Sequence, residues 1–347
     1  MNTTMFPDWL RIILSLLTIA SFIPQFHLIW ARKNADGISL LYVFYSLVAA
    51  TEQFALNFGF IALIEPTNDK VFVHNPRTVG DWLNFAQTLI FMALFLVFFI
   101  LALWFPSKGS TPTQKRLILG TYTVYVLGAV VPLFACAIIN SINDDQSAWR
   151  KLPMVLTFAP HMMGLNYAAT TAVMLGTYYQ ILVLEKEEEE EKEPAAPSIL
   201  STIYDDDHDD HDHPALPSPR GEQEDEDDDK TTLHASFRAN GSLSLGGLAV
   251  QCVLSIGLGI SWIFRVSFLP LPHGVHWWAS SYVVEVWYEL VGSIAVDNAL
   301  FGIGQGVLLY LAVKRQRVNC VVEGEGEGAD ADEEELTGER ELLLRSI

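Results

Sequence analysis

The sequence predicts an all-helical polytopic membrane protein with seven transmembrane helices. Half of the 347 residues are hydrophobic, and they gather in apolar runs of about 20, the length of helix that crosses the core of a bilayer. A soluble protein of this size would not need several such runs. The predicted spans are 9–31, 38–63, 82–104, 117–139, 154–184, 243–269 and 283–313.

The net charge of −20 is carried outside these spans. Segment 185–242 holds 20 acidic residues against five basic ones, and the tail 314–347 holds ten against five. The segment 185–242 has too little apolar surface to form a core, so we predict a disordered acidic cytoplasmic loop there. This divides the chain into spans one to five (1–184), the loop, spans six and seven (243–313), and an acidic cytoplasmic tail.

Basic residues predict the orientation of the spans, because Lys and Arg collect on the cytoplasmic side of a membrane. They follow spans one, three and seven, at Arg32, Lys33, Lys108, Lys115, Arg116, Lys314, Arg315 and Arg317. The N-terminus is therefore expected outside and the C-terminus in the cytoplasm.

A proline–glutamine pair lies inside the first span. The stretch 22–39, FIPQFHLIWARKNADGIS, contains Pro24 and Gln25, a basic pair at 32–33 and the tripeptide GIS at 37–39. Proline removes a backbone donor and bends a helix, and in lipid the freed carbonyl must find a partner inside the protein. The pattern predicts a hinge or the wall of a cavity.

This pattern resembles the PQ-loop repeat family, which includes the lysosomal cystine exporter, vacuolar cationic amino-acid exporters and the SWEET sugar transporters. The chain looks like a divergent, fungal member. The resemblance implies two three-helix bundles joined by a linker helix, transport of a small solute such as an amino acid, and a vacuolar or endolysosomal membrane. Span five of the family carries a second Pro-Gln, whereas this chain has Pro160 and His161 there.

Glu52 is the strongest candidate for chemistry, because an ionisable residue in the middle of a span is costly to keep. It lies in span two beside Gln53 and close to Asn57. We predict a proton-binding or substrate-facing carboxylate. The alternative is a structural hydrogen-bond partner of Gln25 or Asn84.

Span seven carries further polar residues. Asp297 lies deeper than Glu285 and Glu289, and the resemblance implies a proton-coupling acid on the last span. Arg265 could instead form an internal ion pair with Glu285 or Glu289. The predicted substrate or proton-coupling residues are Pro24, Gln25, Glu52, Asn57, Glu289, Asp297 and Gln305.

Two histidines lie within predicted spans: His27 follows the Pro-Gln pair, and His161 takes the place of the second glutamine. Either could titrate in a proton relay. A histidine bonded to a backbone carbonyl is the commoner arrangement, and we prefer it here.

The acidic loop also contains three histidines that alternate with aspartates. Such a run could gather a divalent metal ion weakly, and a solvated acidic linker is the preferred interpretation. These residues are His208, His211 and His213.

The tail carries a possible sorting signal. Glu339 with Leu343 and Leu344 has the spacing of an acidic dileucine motif. Sorting adaptors of the endolysosomal system read such motifs.

The sequence shows no nucleotide loop, nucleophile elbow, zinc-helix motif or basic nucleic-acid stripe. We therefore predict no cofactor, and expect the lipid bilayer and a small molecule as partners. A transporter is preferred over an enzyme. The alternatives are a membrane enzyme such as a fungal terpene cyclase, with Glu52 and Asp297 as its acids, and a receptor or scaffold that recruits partners through its acidic loop and tail.

Overall fold

The computed structural model describes residues 7–63, 73, 77–142, 155–192, 244–265, 285, 287–315 and 317. Within these ranges, every predicted span contains a helix. The helices are α1 (Asp8–Arg32), α2 (Leu40–Ala62), α3 (Val79–Trp104), α4 (Pro112–Asn140), α5 (Val155–Lys186), α6 (Leu245–Ile263) and α7 (Ser293–Arg315).

Six helices of the described residues, all but α2, are long and apolar enough to cross a membrane. Helix α2 has 23 residues, which is long enough to cross a membrane, but Glu52, Gln53 and Asn57 make it more polar than the other six. It is also enclosed by the other helices, since 18 of its 23 residues are buried. Its polar side chains therefore face protein and not lipid.

The outer faces of the other helices are apolar. Exposed side chains of α1 include Trp9, Ile12, Leu16 and Trp30. Such surfaces suit contact with lipid chains, and together with the six apolar helices they make this a multi-pass integral membrane protein.

The loop between α1 and α2 is bonded on both sides by one amide of α5, and the segment after α3 also bonds Ala35 and Asp36. Lys33 and Gly37 adopt positive φ values of 49° and 80°, and the second of these favours glycine. Gln180 Nε2 donates to the Gly37 carbonyl at 2.7 Å, and the Ser39 N–H donates to Gln180 Oε1 at 2.8 Å. The GIS tripeptide of the motif therefore docks the loop onto α5.

By their contacts, helices α1, α2 and α3 form one group, and α5, α6 and α7 form another. Helix α3 contacts both α1 and α2, and the contacts of α2 with α5 and of α1 with α6 join the groups. Helix α7 packs closely on α6, because a Cβ added at Gly259 would lie 2.8 Å from the Ala295 carbonyl oxygen. Gly304 of α7 similarly lies against Thr177 of α5. Small residues let these membrane helices approach closely.

Two helices contain a π-helical turn. These turns are Val126–Val130 in α4 and His161–Leu165 in α5. A third, Tyr288–Gly292, precedes α7. A π turn inserts one extra residue and changes the face to which the following side chains point, and such turns are frequent at functional sites.

The helix that contains α5 continues to Lys192. Residues 185–192 are thus helical where the sequence predicted the start of a disordered loop, because the span extends without a break into glutamates and lysines that favour helix. Residues 193–243 and 318–347 lie outside the described residues. The disorder, the metal-binding histidines and the sorting motif predicted there stay predictions, as does the orientation.

Candidate functional site

Glu52 lies at the centre of α2, and its side chain is only 1% exposed. The Tyr125 hydroxyl donates to one carboxylate oxygen at 2.8 Å, and His161 Nδ1 lies 2.7 Å from the other. His161 Nε2 lies 3.2 Å from the Ala129 carbonyl oxygen. Tyr125 directly precedes the π turn of α4, Ala129 lies within it, and His161 begins the π turn of α5. Both π turns therefore direct polar groups at one carboxylate.

These contacts determine how many protons the Glu52–His161 pair holds. A carbonyl oxygen can only accept, so His161 Nε2 must carry a hydrogen to bond Ala129. Nδ1 and the Glu52 oxygen then need one more proton between them. Either a carboxylic acid donates to a neutral imidazole, or an imidazolium donates to a carboxylate.

His161 thus bonds a backbone carbonyl, the arrangement preferred from the sequence, and it also contacts a carboxylate; a role in a proton relay stays a prediction. The structure pairs Glu52 with His161 and Tyr125, whereas the sequence suggested Gln25 or Asn84. The sequence did point to His161 as a candidate, because it follows Pro160 in span five. No sequence signal points to Tyr125, because its contact depends on how α4 packs on α2.

Asp297 of α7 is a second carboxylate buried in the middle of a helix, at 1% exposure, whereas the buried Asp81 lies in the first turn of α3. Gln53 Nε2 donates to Oδ2 at 3.2 Å, and the Thr170 hydroxyl donates to Oδ1. The Tyr288 hydroxyl lies 2.6 Å from Thr170 Oγ1 and completes a chain of hydroxyl groups. Because Gln53 follows Glu52 directly, α2 presents one side chain to α4 and α5 and the next to α7.

A small polar cavity lies where α1, α2, α3, α6 and α7 meet. Hydroxyl and amide groups line one part of it, and aromatic and aliphatic side chains line the rest. Its lining residues are Thr18, Gln53, Gln87, Thr88, Phe91, Leu258, Trp262 and Asn298. Gln53 lines the cavity and also donates to Asp297. One side chain therefore separates the cavity from the Asp297 carboxylate.

Two arginines lie at the end of the helix group where α1 and α3 begin and α6 ends. Asn84 Oδ1 accepts from Arg11 Nη1 at 3.1 Å and from Arg265 Nη1 at 2.9 Å. Arg265 Nη1 also donates to Gln87 Oε1 at 2.6 Å, and its guanidinium lies 4.5 Å from the centre of the Trp262 ring. The sequence suggested an ion pair of Arg265 with an acid of span seven, whereas these bonds join it to α3.

The Pro-Gln pair forms a joint between α1 and α6. Gln25 is buried, and its Oε1 accepts from the Ser244 N–H at 2.9 Å, at the start of α6. Gln251 Nε2 donates to the Ser21 carbonyl at 3.3 Å, next to the Ala20 carbonyl that Pro24 leaves without its helical donor. Pro24 itself is exposed.

The remaining predicted residues lie at different places. Asn57 is buried and donates to the Asn84 carbonyl at 3.2 Å, next to the arginine cluster. Gln305 is buried and donates to the Tyr42 hydroxyl, a joint between α7 and α2. Glu289 is half-buried in the π turn before α7. Of the predicted residues, Glu52 and Asp297 are therefore the two buried carboxylates of the site, and Asn57 lies next to the arginines.

His27, in contrast, is exposed on α1. Over the described part of the chain, no group of three or more His, Cys, Asp or Glu side chains could hold a metal ion. The histidines at 208, 211 and 213 are outside that part, as are Glu339, Leu343 and Leu344.

No curated protein was found to match the chain. A family model described as the PQ loop repeat matches residues 6–62. The matched segment contains α1, the loop held by Gln180, and α2 with Glu52. Residues 6–62 of this multi-pass membrane protein therefore form a PQ loop repeat, which confirms the resemblance that Pro24 and Gln25 predicted.

Proposed function

We propose that the protein is a membrane transporter that couples the movement of a small solute to protons. The observation that carries this proposal is the Glu52–His161 pair, which needs one shared proton to keep its hydrogen bond while His161 bonds Ala129. A pair of this kind can bind a proton on one side of a membrane and release it on the other.

Release of that proton would change the contacts between helices. A neutral His161 then carries one ring hydrogen, so it can donate to Glu52 or to the Ala129 carbonyl but not to both, and one of the two contacts is lost. A buried polar group without a partner is unfavourable, so the deprotonated pair favours a different arrangement of α2 against the two π turns.

The neighbouring side chain of α2 connects this change to the cavity. Gln53 lines the cavity and donates to Asp297, and it is joined to Glu52 by one peptide bond. A shift or rotation of α2 therefore changes the proton pair and the cavity wall together. Such a link between a proton site and a solute site is what coupled transport requires.

The lining of the cavity supports a solute site, and the helices must move apart to admit a solute, because the enclosed space of about 10 Å³ holds no more than one water molecule. Ligand sites in proteins are mostly apolar pockets with a few polar groups that set orientation. Here Phe91, Leu258 and Trp262 supply the apolar surface, and the amides of Gln87 and Asn298 are among the polar groups. The cavity also lies between the two helix groups, where a relative movement would open it.

The test is transport by the purified protein in lipid vesicles that contain a pH-sensitive dye. A panel of small solutes is added with an imposed pH gradient, and proton movement is recorded for each solute. Glu52→Gln and Asp297→Asn should lower the solute-dependent proton flux about tenfold or more, because each loses a hydrogen bond to a charged or titrating group.

Glu185→Gln is the matched control, since Glu185 is exposed at the end of α5. It should retain the wild-type flux. Wild-type proton flux in both Glu52→Gln and Asp297→Asn would contradict the proposed coupling.

A further inference from the structure

We propose that the cavity binds the carboxylate of a small solute, and that Gln87 and Arg265 form its anion-binding end. This inference rests on the proposed function, because it names the solute class of the same site. Its basis is the contacts of Gln87, the two arginines next to it and the part of the cavity lined by Gln53.

Gln87 offers the cavity a hydrogen-bond donor. Its side chain is 5% exposed and lines the cavity. Its Oε1 accepts from Arg265 at 2.6 Å, whereas its Nε2 is buried without a hydrogen-bond partner. A buried donor without an acceptor is unfavourable, and an oxygen of a bound solute would satisfy it.

Two arginines lie close to Gln87. Arg265 and Arg11 donate to the same oxygen of Asn84. Asp8 forms an ion pair with Arg11 at 3.7 Å, and the buried Asp81 carboxylate also acts on Arg11. Trp262, over which Arg265 lies, is part of the cavity wall. Arg265 donates to Gln87 from behind this lining, so its guanidinium favours an anionic oxygen at Gln87 Nε2.

The part of the lining at Gln53 differs in character, because Gln53 donates to the Asp297 carboxylate. An anion placed next to Gln53 would approach that carboxylate. A bound carboxylate is therefore directed to Gln87 and away from Gln53.

The first test measures binding by the full-length protein in lipid nanodiscs at constant pH. Thermal unfolding is followed with acetate, lactate, pyruvate or succinate, with acetamide, lactamide, pyruvamide or succinamide, and with inorganic phosphate. At least one carboxylate should raise the unfolding midpoint, and its amide should not. Equal effects of acid and amide, an effect of phosphate alone, or no effect of any carboxylate would overturn the inference.

The second test changes the anion-binding end. Gln87→Glu is nearly the same size and gives Arg265 an ionised partner, so the protein should remain folded. The new carboxylate repels an anion, and the affinity for the stabilising carboxylate should fall about tenfold or more. Gln87→Met, which removes the donor without adding charge, should also lower the affinity. Unchanged carboxylate binding in folded Gln87→Glu would overturn the inference.

Arg32→Met is the control, because it removes a positive charge at the opposite end of α1 and should leave binding unchanged. Binding at constant pH is also independent of proton flux. Carboxylate binding without any proton-driven flux would support this inference and contradict the proposed coupling. Proton-driven flux of neutral solutes only, without carboxylate binding, would support the proposed coupling and contradict this inference.

Discussion

The chain places a proline followed by a polar side chain in each of two helices, α1 and α5. In α1, Gln25 accepts a hydrogen bond from the first residue before α6, Ser244. In α5, His161 bonds Glu52 in the middle of α2. Each side chain therefore joins its helix to one of the other group, so the two positions have the same structural role.

The two joints differ in their chemistry. The Gln25 amide neither gains nor loses a proton in the accessible pH range, and α1 remains an α-helix around it. The His161 imidazole can titrate, faces a carboxylate, and starts a π turn. The comparison indicates that one joint is a neutral contact and that the other can respond to protons.

Exchanging histidine for glutamine at position 161 should have the largest effect. His161→Gln makes this joint resemble that of Gln25 and removes the titrating partner of Glu52. Proton-driven solute flux in vesicles should fall about tenfold or more, the equivalent of a hydrogen bond to a charged group. His27→Gln changes an exposed histidine and should keep the wild-type flux. A wild-type flux in His161→Gln would remove the distinction between the two joints.

Tyr125→Phe should have an intermediate effect. It removes the hydroxyl that donates to Glu52 at 2.8 Å and leaves His161 in place. Loss of one hydrogen bond should change the pH at half-maximal flux and lower the flux about threefold. The measurement is solute flux over a range of external pH. A larger loss than in His161→Gln would show that the tyrosine, and not the histidine, is the principal partner of Glu52.

Gln25→Leu should reduce stability more than it changes coupling. It leaves the Ser244 N–H without its acceptor, which should destabilise the protein by about 1 kcal/mol. Thermal unfolding in nanodiscs measures this, with His27→Leu as the exposed control on the same helix. The ratio of flux with a pH gradient to flux without one should stay close to that of wild type. Loss of that ratio would make the α1 joint part of the proton mechanism.

The smallest effects are expected for the prolines themselves. Pro24→Ala and Pro160→Ala each restore a backbone N–H inside a helix, and the change in stability should be below about 1 kcal/mol. Amide hydrogen exchange should slow around residue 24 in the first variant, where the new N–H can bond the carbonyl of residue 20. In the second it should slow around residue 160 and within the π turn that follows. Equal flux changes in both variants would mean that the two joints move alike.

Much of the fold could be predicted because its signals are local. Runs of apolar residues predicted all seven helices, most of them within a few residues of their observed ends, since a membrane helix must satisfy its own backbone groups. The Pro24-Gln25 pattern identified the repeat. The least accurate boundaries were the start of α7, which begins at Ser293 after a π turn, and the end of α5, where acidic residues continue the helix to Lys192.

The candidate site was predicted only in part. A buried acid in a membrane helix is unfavourable, so Glu52 and Asp297 could be chosen from the sequence alone. Their partners could not, because Tyr125, His161 and Thr170 are 73 to 127 residues away along the chain. The contact of Arg265 with Asn84 and Gln87 was likewise missed, since an acid of span seven was the simpler partner.

The sequence by itself determined that this is a helical membrane protein with a PQ loop repeat and buried acids, because hydrophobic length and the cost of an intramembrane charge act residue by residue. Only the tertiary structure decided that Gln25 bonds the start of α6 and that His161 bonds Glu52. The physical reason is that a hydrogen bond between helices depends on their packing and on the two π turns. Neither leaves a periodic pattern in the sequence.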